Sequence, residues 1–147
     1  MADDRYVLGI DLGTESARAG IFDLEGRAVA TAATTYALTH PRPGWAEQDP
    51  DEWWSALVAS VREAMQEAGA GADRIAGVSV DATTCTVVAL DGSGRHLRPA
   101  IMWMDVRASD QARRIGESSD PARKYNAGGK GPVSAEWLPS KLLWLKE

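Results

Sequence analysis

The order of apolar and polar positions predicts a strand-rich opening followed by alternating helices and strands. Residues 5–10, Arg-Tyr-Val-Leu-Gly-Ile, are a short apolar run with β-branched and aromatic members, the mark of a buried strand. The group Asp11-Leu12-Gly13-Thr14-Glu15-Ser16 predicts a turn, and residues 17–23 resume a partial alternation as a returning strand. Leu24-Glu25-Gly26-Arg27 is a second tight turn, and residues 28–37 make a third strand. The chain is therefore expected to open as an antiparallel meander of three strands. Residues 38–49 hold Pro41, Pro43 and Gly44 and predict a loop.

A helix should follow. Asp49 suits an N-cap, Pro50 the first helical position, and Asp51 and Glu52 the positive end of the helix. Trp54, Leu57, Val58, Val61, Met65 and Ala68 recur at helical spacing and form its expected apolar face, and Gly69 ends it. Residues 75–80 and 84–90 predict a fourth and a fifth strand, with a turn at Asp91-Gly92-Ser93-Gly94. Residues 106–116 predict a helix, and residues 118–133 a loop containing Gly128, Gly129, Gly131 and Pro132. From Pro139 a short amphipathic helix runs through Leu142, Leu143 and Leu145, whose leucines are expected to face a core. Its periodicity is unbroken at Glu147, which predicts a polypeptide that continues. The whole pattern points to an α/β domain with a mixed sheet and helices packed on it.

Composition narrows the class. A length of 147 residues is one domain's worth of chain. Hydrophobic residues at 44% and charged residues at 25% exclude a disordered tail, a collagen-like fibre and a disulfide-stapled miniprotein. The 16 basic and 21 acidic residues are interspersed, with no basic run to follow a phosphate backbone, so nucleic acid is not an expected partner. The start, Met1 to Arg5, is acidic, and the apolar run at 6–10 is too short for a signal peptide. No stretch approaches the ~18 apolar residues of a membrane span, so no membrane is expected either. Cys85 is the single cysteine and cannot form an internal disulfide, which fits a reducing, cytoplasmic location.

The chemistry is concentrated first in Asp11-x-Gly13-Thr14-x-Ser16-x-Arg18. A strand delivers Asp11 to the end of the sheet, and Gly13 lets the backbone bend and approach a ligand closely. Backbone amides in such a turn can form an anion nest, with Thr14 and Ser16 adding hydroxyls and Arg18 a forked cation. Asp11 is suited to a hydrated Mg²⁺, which commonly takes one or two carboxylates beside phosphate oxygens. The alternative is an ordinary hairpin with a polar turn. Farther on, Asp81-Ala82-Thr83-Thr84-Cys85 joins two predicted strands, and such small polar residues either line a pocket or form a satisfied turn. Cys85 needs no nucleophilic role, and a buried structural thiol is expected. Trp103, Asp105 and Arg107 combine an aromatic face with charged groups, as sugar sites do, or else form a buried indole beside a surface ion pair. Trp45 and Gln48 are expected to anchor the loop before the first helix. His40 and His96 are isolated and suggest neither a metal site nor a catalytic dyad.

These segments together resemble the FGGY family of carbohydrate kinases. Asp11, Gly13, Thr14, Ser16 and Arg18 fill every fixed position of its Asp-x-Gly-Thr-x-Ser-x-Arg turn. Gly44-Trp45-Ala46-Glu47-Gln48-Asp49-Pro50 is similar to its Gly-Trp-x-Glu-Gln-x-Pro segment, and Trp103-Met104-Asp105-x-Arg107 to its Trp-x-Asp-x-Arg stretch. Pro139-x-Lys141-Leu142-Leu143-Trp144-Leu145-Lys146 and the Asp-Ala-Thr-Thr-Cys junction resemble the D-ribulokinase-like subgroup. The junction lacks the Arg-Glu pair of glycerol kinases and the Gln-Met-His run of xylulokinases.

The resemblance implies a ribonuclease-H-like domain of the actin-like ATPase fold, here incomplete. It implies transfer of the γ-phosphoryl group of ATP to a hydroxyl of a ketose, a pentulose such as ribulose being favoured. By that analogy Gly13, Thr14, Ser16 and Arg18 bind the ATP phosphates and Asp11 the Mg²⁺. Thr83, Thr84, Cys85, Trp103, Asp105, Arg107 and Glu136 face a small-molecule sugar. The downstream segment with the catalytic Asp and the second, adenosine-holding domain have no counterpart in this sequence. No catalytic residue is therefore assigned to it, Asp81 and Asp105 being read as binding or structural, and the chain alone is expected to be inactive. Homo-oligomerisation would belong to the full-length enzyme. The competing readings are a stand-alone module that binds a sugar or nucleotide without transfer, and another actin-like ATPase. The Trp103 and Pro139–Lys146 segments count against the latter.

Overall fold

The computed structural model describes residues 5–147, and the acidic opening, residues 1–4, lies outside the described residues. The chain divides into two compact units. One comprises Met1–Leu38 with Asp49–Thr83, and the other Thr39–Gln48 with Thr84–Glu147.

The first unit is built on a four-stranded sheet. Strands β1 (Tyr6–Leu12), β2 (Ser16–Asp23) and β3 (Ala28–Thr35) form the expected antiparallel meander, and β5 (Ile75–Ala82) adds in parallel to β1, giving the order β3-β2-β1-β5. Helix α1 (Pro50–Ala68) makes the parallel crossover possible and covers one face. The Asp49 carboxylate accepts from the Asp51 N–H at 3.0 Å, Pro50 opens the helix, and Gly69 closes it at φ 61°. Leu8, Ala19, Ile21 and Ala64 form the core, with Ile10, Val61 and Met65 packed around them.

Val61, Met65 and Ala68 of the expected α1 face pack against the core, but that face is not the most deeply buried one. The helix's buried stripe is Ala56, Ser60 and Ala64, and Trp54 is exposed. Small side chains let the helix approach the sheet closely. Ser60 adds a hydrogen bond to the Ala17 carbonyl at 3.0 Å, which replaces part of the apolar seal with a polar one. On the other face Phe22 lies over Gly9 and Gly20, and a Cβ on Gly20 would stand 2.7 Å from its ring. Strand β5 is an edge, and its Val78 and Val80 are largely exposed.

The second unit contains a two-stranded pair, β4 (Glu47–Gln48) with β6 (Ala100–Ile101), and helices α2 (Ser109–Glu117) and α3 (Leu138–Lys146) packed together. Four expectations are corrected here. The predicted strand at 84–90 is not one. The backbone turns left-handed at Cys85 (φ 61°), and only isolated bridges follow, Val87 to Ile101 and Leu90 to His96. The second helix starts at Ser109 rather than 106, because the Val106 N–H is drawn to the Gly44 carbonyl at 2.9 Å and the chain is still turning. The predicted loop at 118–133 contains two short 3₁₀ turns, Pro121–Tyr125 and Ala127–Gly129, the first capped by Asp120. Leu142 is also half-exposed instead of facing a core, its neighbours Ser140 and Lys141 being the fully buried residues of α3.

Candidate active site

In the first unit the β1–β2 hairpin brings Asp11 and Arg18 opposite one another, and their side chains pair at 2.7 Å while both remain open to solvent. Between them the Gly13 N–H donates to the Ser16 carbonyl at 3.0 Å, which closes the turn. A Cβ on Gly13 would stand 3.4 Å from the Ser16 carbonyl oxygen and 3.5 Å from the Arg18 guanidinium, both ordinary contact distances. Ser16 is buried at the head of β2, whereas Thr14 is part-exposed at the tip. The Tyr36 hydroxyl donates to the Gly13 carbonyl and pins the turn from the far end of the meander. Burial pushes the Tyr36 hydroxyl pKa up, with Asp11 adding to the shift and Arg18 opposing it.

An open depression of about 520 Å³ runs from this pair over the sheet face, lined by Asp11, Arg18, Gly20, Phe22 and Thr31 among others. Parallel pairing sets Asp81 beside Asp11, and Asp81 accepts the Ala82 N–H. Thr83 closes this unit, its N–H on the Leu12 carbonyl. A solvent-open carboxylate, a guanidinium it can release and a hydroxyl at a tight turn are a donor set that fits Mg²⁺ with phosphate oxygens. Asp11 could hold such a metal, and Thr14 and Arg18 could meet the phosphates.

In the second unit, Thr84 and Cys85 are exposed, so Cys85 is not the buried thiol the sequence suggested. The left-handed turn that broke the predicted strand also places it at the surface. Trp103 is half-exposed and Glu136 part-buried. The alternative for the third segment is reversed. The ion pair is interior and the indole meets solvent. Asp105 and Arg107 have fully buried side chains paired at 2.7 Å. Asp105 also accepts the Ala46 N–H at 2.6 Å, and Arg107 reaches Glu47 at 2.8 Å. The Arg107 guanidinium stacks 3.7 Å from the Trp45 ring, which meets Trp144 edge to face at 5.6 Å. Burial opposes ionisation of Asp105, yet Arg107 and the Ala46 amide outweigh it and hold its carboxyl below the usual range. The Trp45 segment is thus the anchor expected of it, with Gln48 buried alongside in β4.

Sequence reasoning missed Tyr36 and Lys141. Tyr36 stands one residue past the end of β3 and carried no pattern of its own. Lys141 is fully buried, and its ammonium donates to the carbonyls of Cys85 at 2.8 Å, Met102 at 2.7 Å and Trp103 at 3.3 Å. Its signal was available. A lysine four residues after Trp137 and four before Leu145 sits on an apolar helical stripe.

No helix among the described residues is long and apolar enough to cross a membrane. The fold is that of the actin-like ATPases, in the form found in sugar kinases. The chain belongs to the FGGY family of carbohydrate kinases, matching the family's N-terminal domain over residues 6–147. It is 33% identical over 143 residues to a glycerol kinase of Paraburkholderia phytofirmans, covering 97% of this chain and 28% of that protein. A glycerol kinase of Delftia acidovorans is 38% identical over 145 residues, covering 95% and 28%. The xylulose kinase structure from Rhodospirillum rubrum superposes with a TM-score of 0.84 at 33% identity, covering 97% of this chain and 29% of that one. The chain therefore spans little more than a quarter of the length of the relatives it matches.

Proposed function

We propose that this chain is the front part of an ATP-dependent kinase that phosphorylates a hydroxyl of a ketose, a pentulose such as ribulose, in the cytoplasm. The observation that carries this is the solvent-open Asp11–Arg18 pair across the Gly13 turn, in a chain of the FGGY family. Phosphoryl transfer asks a protein to hold the phosphates, neutralise their charge and align the acceptor. Gly13, Thr14 and Arg18 serve the first two tasks, with Ser16 acting through its carbonyl to close the turn. Mg²⁺, held by Asp11, supplies the remaining charge neutralisation when bound. Thr83, Thr84, Cys85, Trp103 and Glu136 face the sugar, while Asp105 and Arg107 fix the Trp103 loop from beneath. The Thr83-Thr84-Cys85 wording favours ribulose although glycerol and xylulose kinases stand among the relatives, since the glycerol-type Arg-Glu pair is absent.

The proton acceptor lies elsewhere in the protein, and so does the adenosine site. The exposed Val78 and Val80 on the sheet edge support a larger protein that covers them. The test has two stages. The product made by the native cell should have an intact mass several-fold above the 15.8 kDa of this chain. That product should then consume ATP in a sugar-dependent way, D-ribulose first, then D-xylulose and glycerol, while the 147-residue chain does not. A native mass of 15.8 kDa, or sugar-dependent turnover by this chain alone, overturns the reading.

A further inference from the structure

We propose that Lys141 is the positioning residue of the sugar-facing wall, holding the Cys85 turn and the Trp103 loop in register from one buried point. An ammonium has three donors and no acceptor. Here three carbonyls converge on it, from Cys85, Met102 and Trp103. Two of them come from residues that the kinase reading places against the sugar, and Met102 lies immediately before Trp103. The two segments lie far apart in sequence, and among the described residues Lys141 is the side chain shown bonding to both.

A purely structural account fits these facts less well. Burying a cation is unfavourable, and an apolar residue of similar volume often stabilises as well or better. The segment it holds is itself strained, since Cys85 is a non-glycine residue at φ 61°. Backbone in such a conformation persists only when its surroundings hold it there. A buried cation maintaining a strained turn beside an exposed indole is an arrangement that gains shape rather than stability. The indole can then present its face to a sugar only at the height and angle that the Trp103 carbonyl allows. Asp105 fixes the other end of the same loop through Ala46 and Arg107, so the loop is tied at both ends by buried charge.

The proposal rests on the kinase reading, and the experiment separates the two. The native full-length product is assayed with the first of D-ribulose, D-xylulose and glycerol that supports turnover. Absence of turnover with all three in the wild type counts against the kinase reading. Given turnover, Lys141→Met should raise the KM for the sugar at least tenfold and leave the KM for ATP within twofold. Ser140→Ala is the control. Ser140 is equally buried on α3 but its hydroxyl donates to the Ser134 carbonyl, outside the two segments that Lys141 binds, so Ser140→Ala should lower the unfolding temperature without moving the sugar KM. Lys141→Arg keeps the charge and guards against loss of folding in the methionine variant. A planar fork does not match three carbonyls converging on a point, so it should raise the sugar KM three- to tenfold. The proposal fails if Lys141→Met and Ser140→Ala raise the sugar KM equally, if both KM values rise together, or if Lys141→Arg retains the wild-type sugar KM.

Discussion

Two of the aspartate–arginine pairs among the described residues, Asp11–Arg18 and Asp105–Arg107, are both at 2.7 Å and have opposite settings. Asp11 and Arg18 keep 40% and 55% of their side chains exposed, whereas Asp105 and Arg107 keep none. An exposed pair is worth little to stability, because water competes for both partners. It can therefore be opened when a ligand offers better partners. The interior pair has every oxygen engaged by Arg107 or backbone amides, so removing one partner strands a charge away from water. The same two residue types thus make a binding device at the end of a hairpin and a frame beneath a loop. Exposure decides which.

The largest expected effect tests the frame. Asp105→Ala leaves Arg107 without its main partner and the Ala46 N–H without an acceptor, and should cost about 3–5 kcal/mol by denaturant unfolding. Asp11→Ala should cost less than about 1 kcal/mol in the same measurement. Equal losses would erase the distinction between the two pairs. The glycines carry the contrast one step further. Gly44→Ala must accept φ 77° and a Cβ 2.9 Å from a Val106 methyl, and should destabilise on the order of 1–3 kcal/mol. Gly13→Ala meets the Arg18 guanidinium at 3.5 Å with no backbone penalty. It should change the unfolding midpoint little while raising the KM for ATP in the full-length enzyme. An ATP KM unaffected by Gly13→Ala and by Arg18→Ala would remove the hairpin from the phosphate site.

How much of this was legible depended on whether the information was local. The meander, the Asp49 cap, Pro50 and the Gly69 stop are written in neighbouring residues, and they stand as read, with strand ends displaced by only one or two positions. The approach of Asp11 to Arg18 follows from the same locality, since they lie seven residues apart on adjoining strands. What was not legible depends on partners distant in sequence. Whether Trp103 or its ion pair is buried turns on Ala46 and Glu47, more than fifty residues away. The strand predicted at 84–90 has suitable residues but lacks a neighbour for most of its length, and Lys141 holds its first turn through a contact across 56 positions. Trp54 shows the remaining limit. Apolar periodicity marks a helix, but close packing on a sheet selected the small residues Ala56, Ser60 and Ala64 for the inward stripe.

The smallest effect sharpens the comparison in acid. Asp91 is a part-buried turn carboxylate, held down to a pKa of about 2 by the Ser93 hydroxyl first and then by the Arg95 and Ser93 amides. Asp105 is also held below its ordinary value, against burial, by Arg107 and the Ala46 amide. Both folded values lie below the unfolded value of about 3.9, so each group's stabilisation is complete above that pH. It is lost as pH falls through the folded value, which for Asp91 places the loss between about pH 4 and pH 2. Asp91→Asn should therefore be slightly less stable than wild type at pH 6, with the two unfolding midpoints converging as the pH approaches 2. Because its partners are largely hydrogen-bond donors in a local turn, added salt should leave that small difference in place. Protonating Asp105 instead undoes a buried pair, so the wild type should lose cooperative unfolding in acid while the Asp91 variant follows the same limb. A variant whose midpoint stays below wild type by a constant amount from pH 6 to pH 2 would show that Asp91 acts through turn geometry and not through its charge.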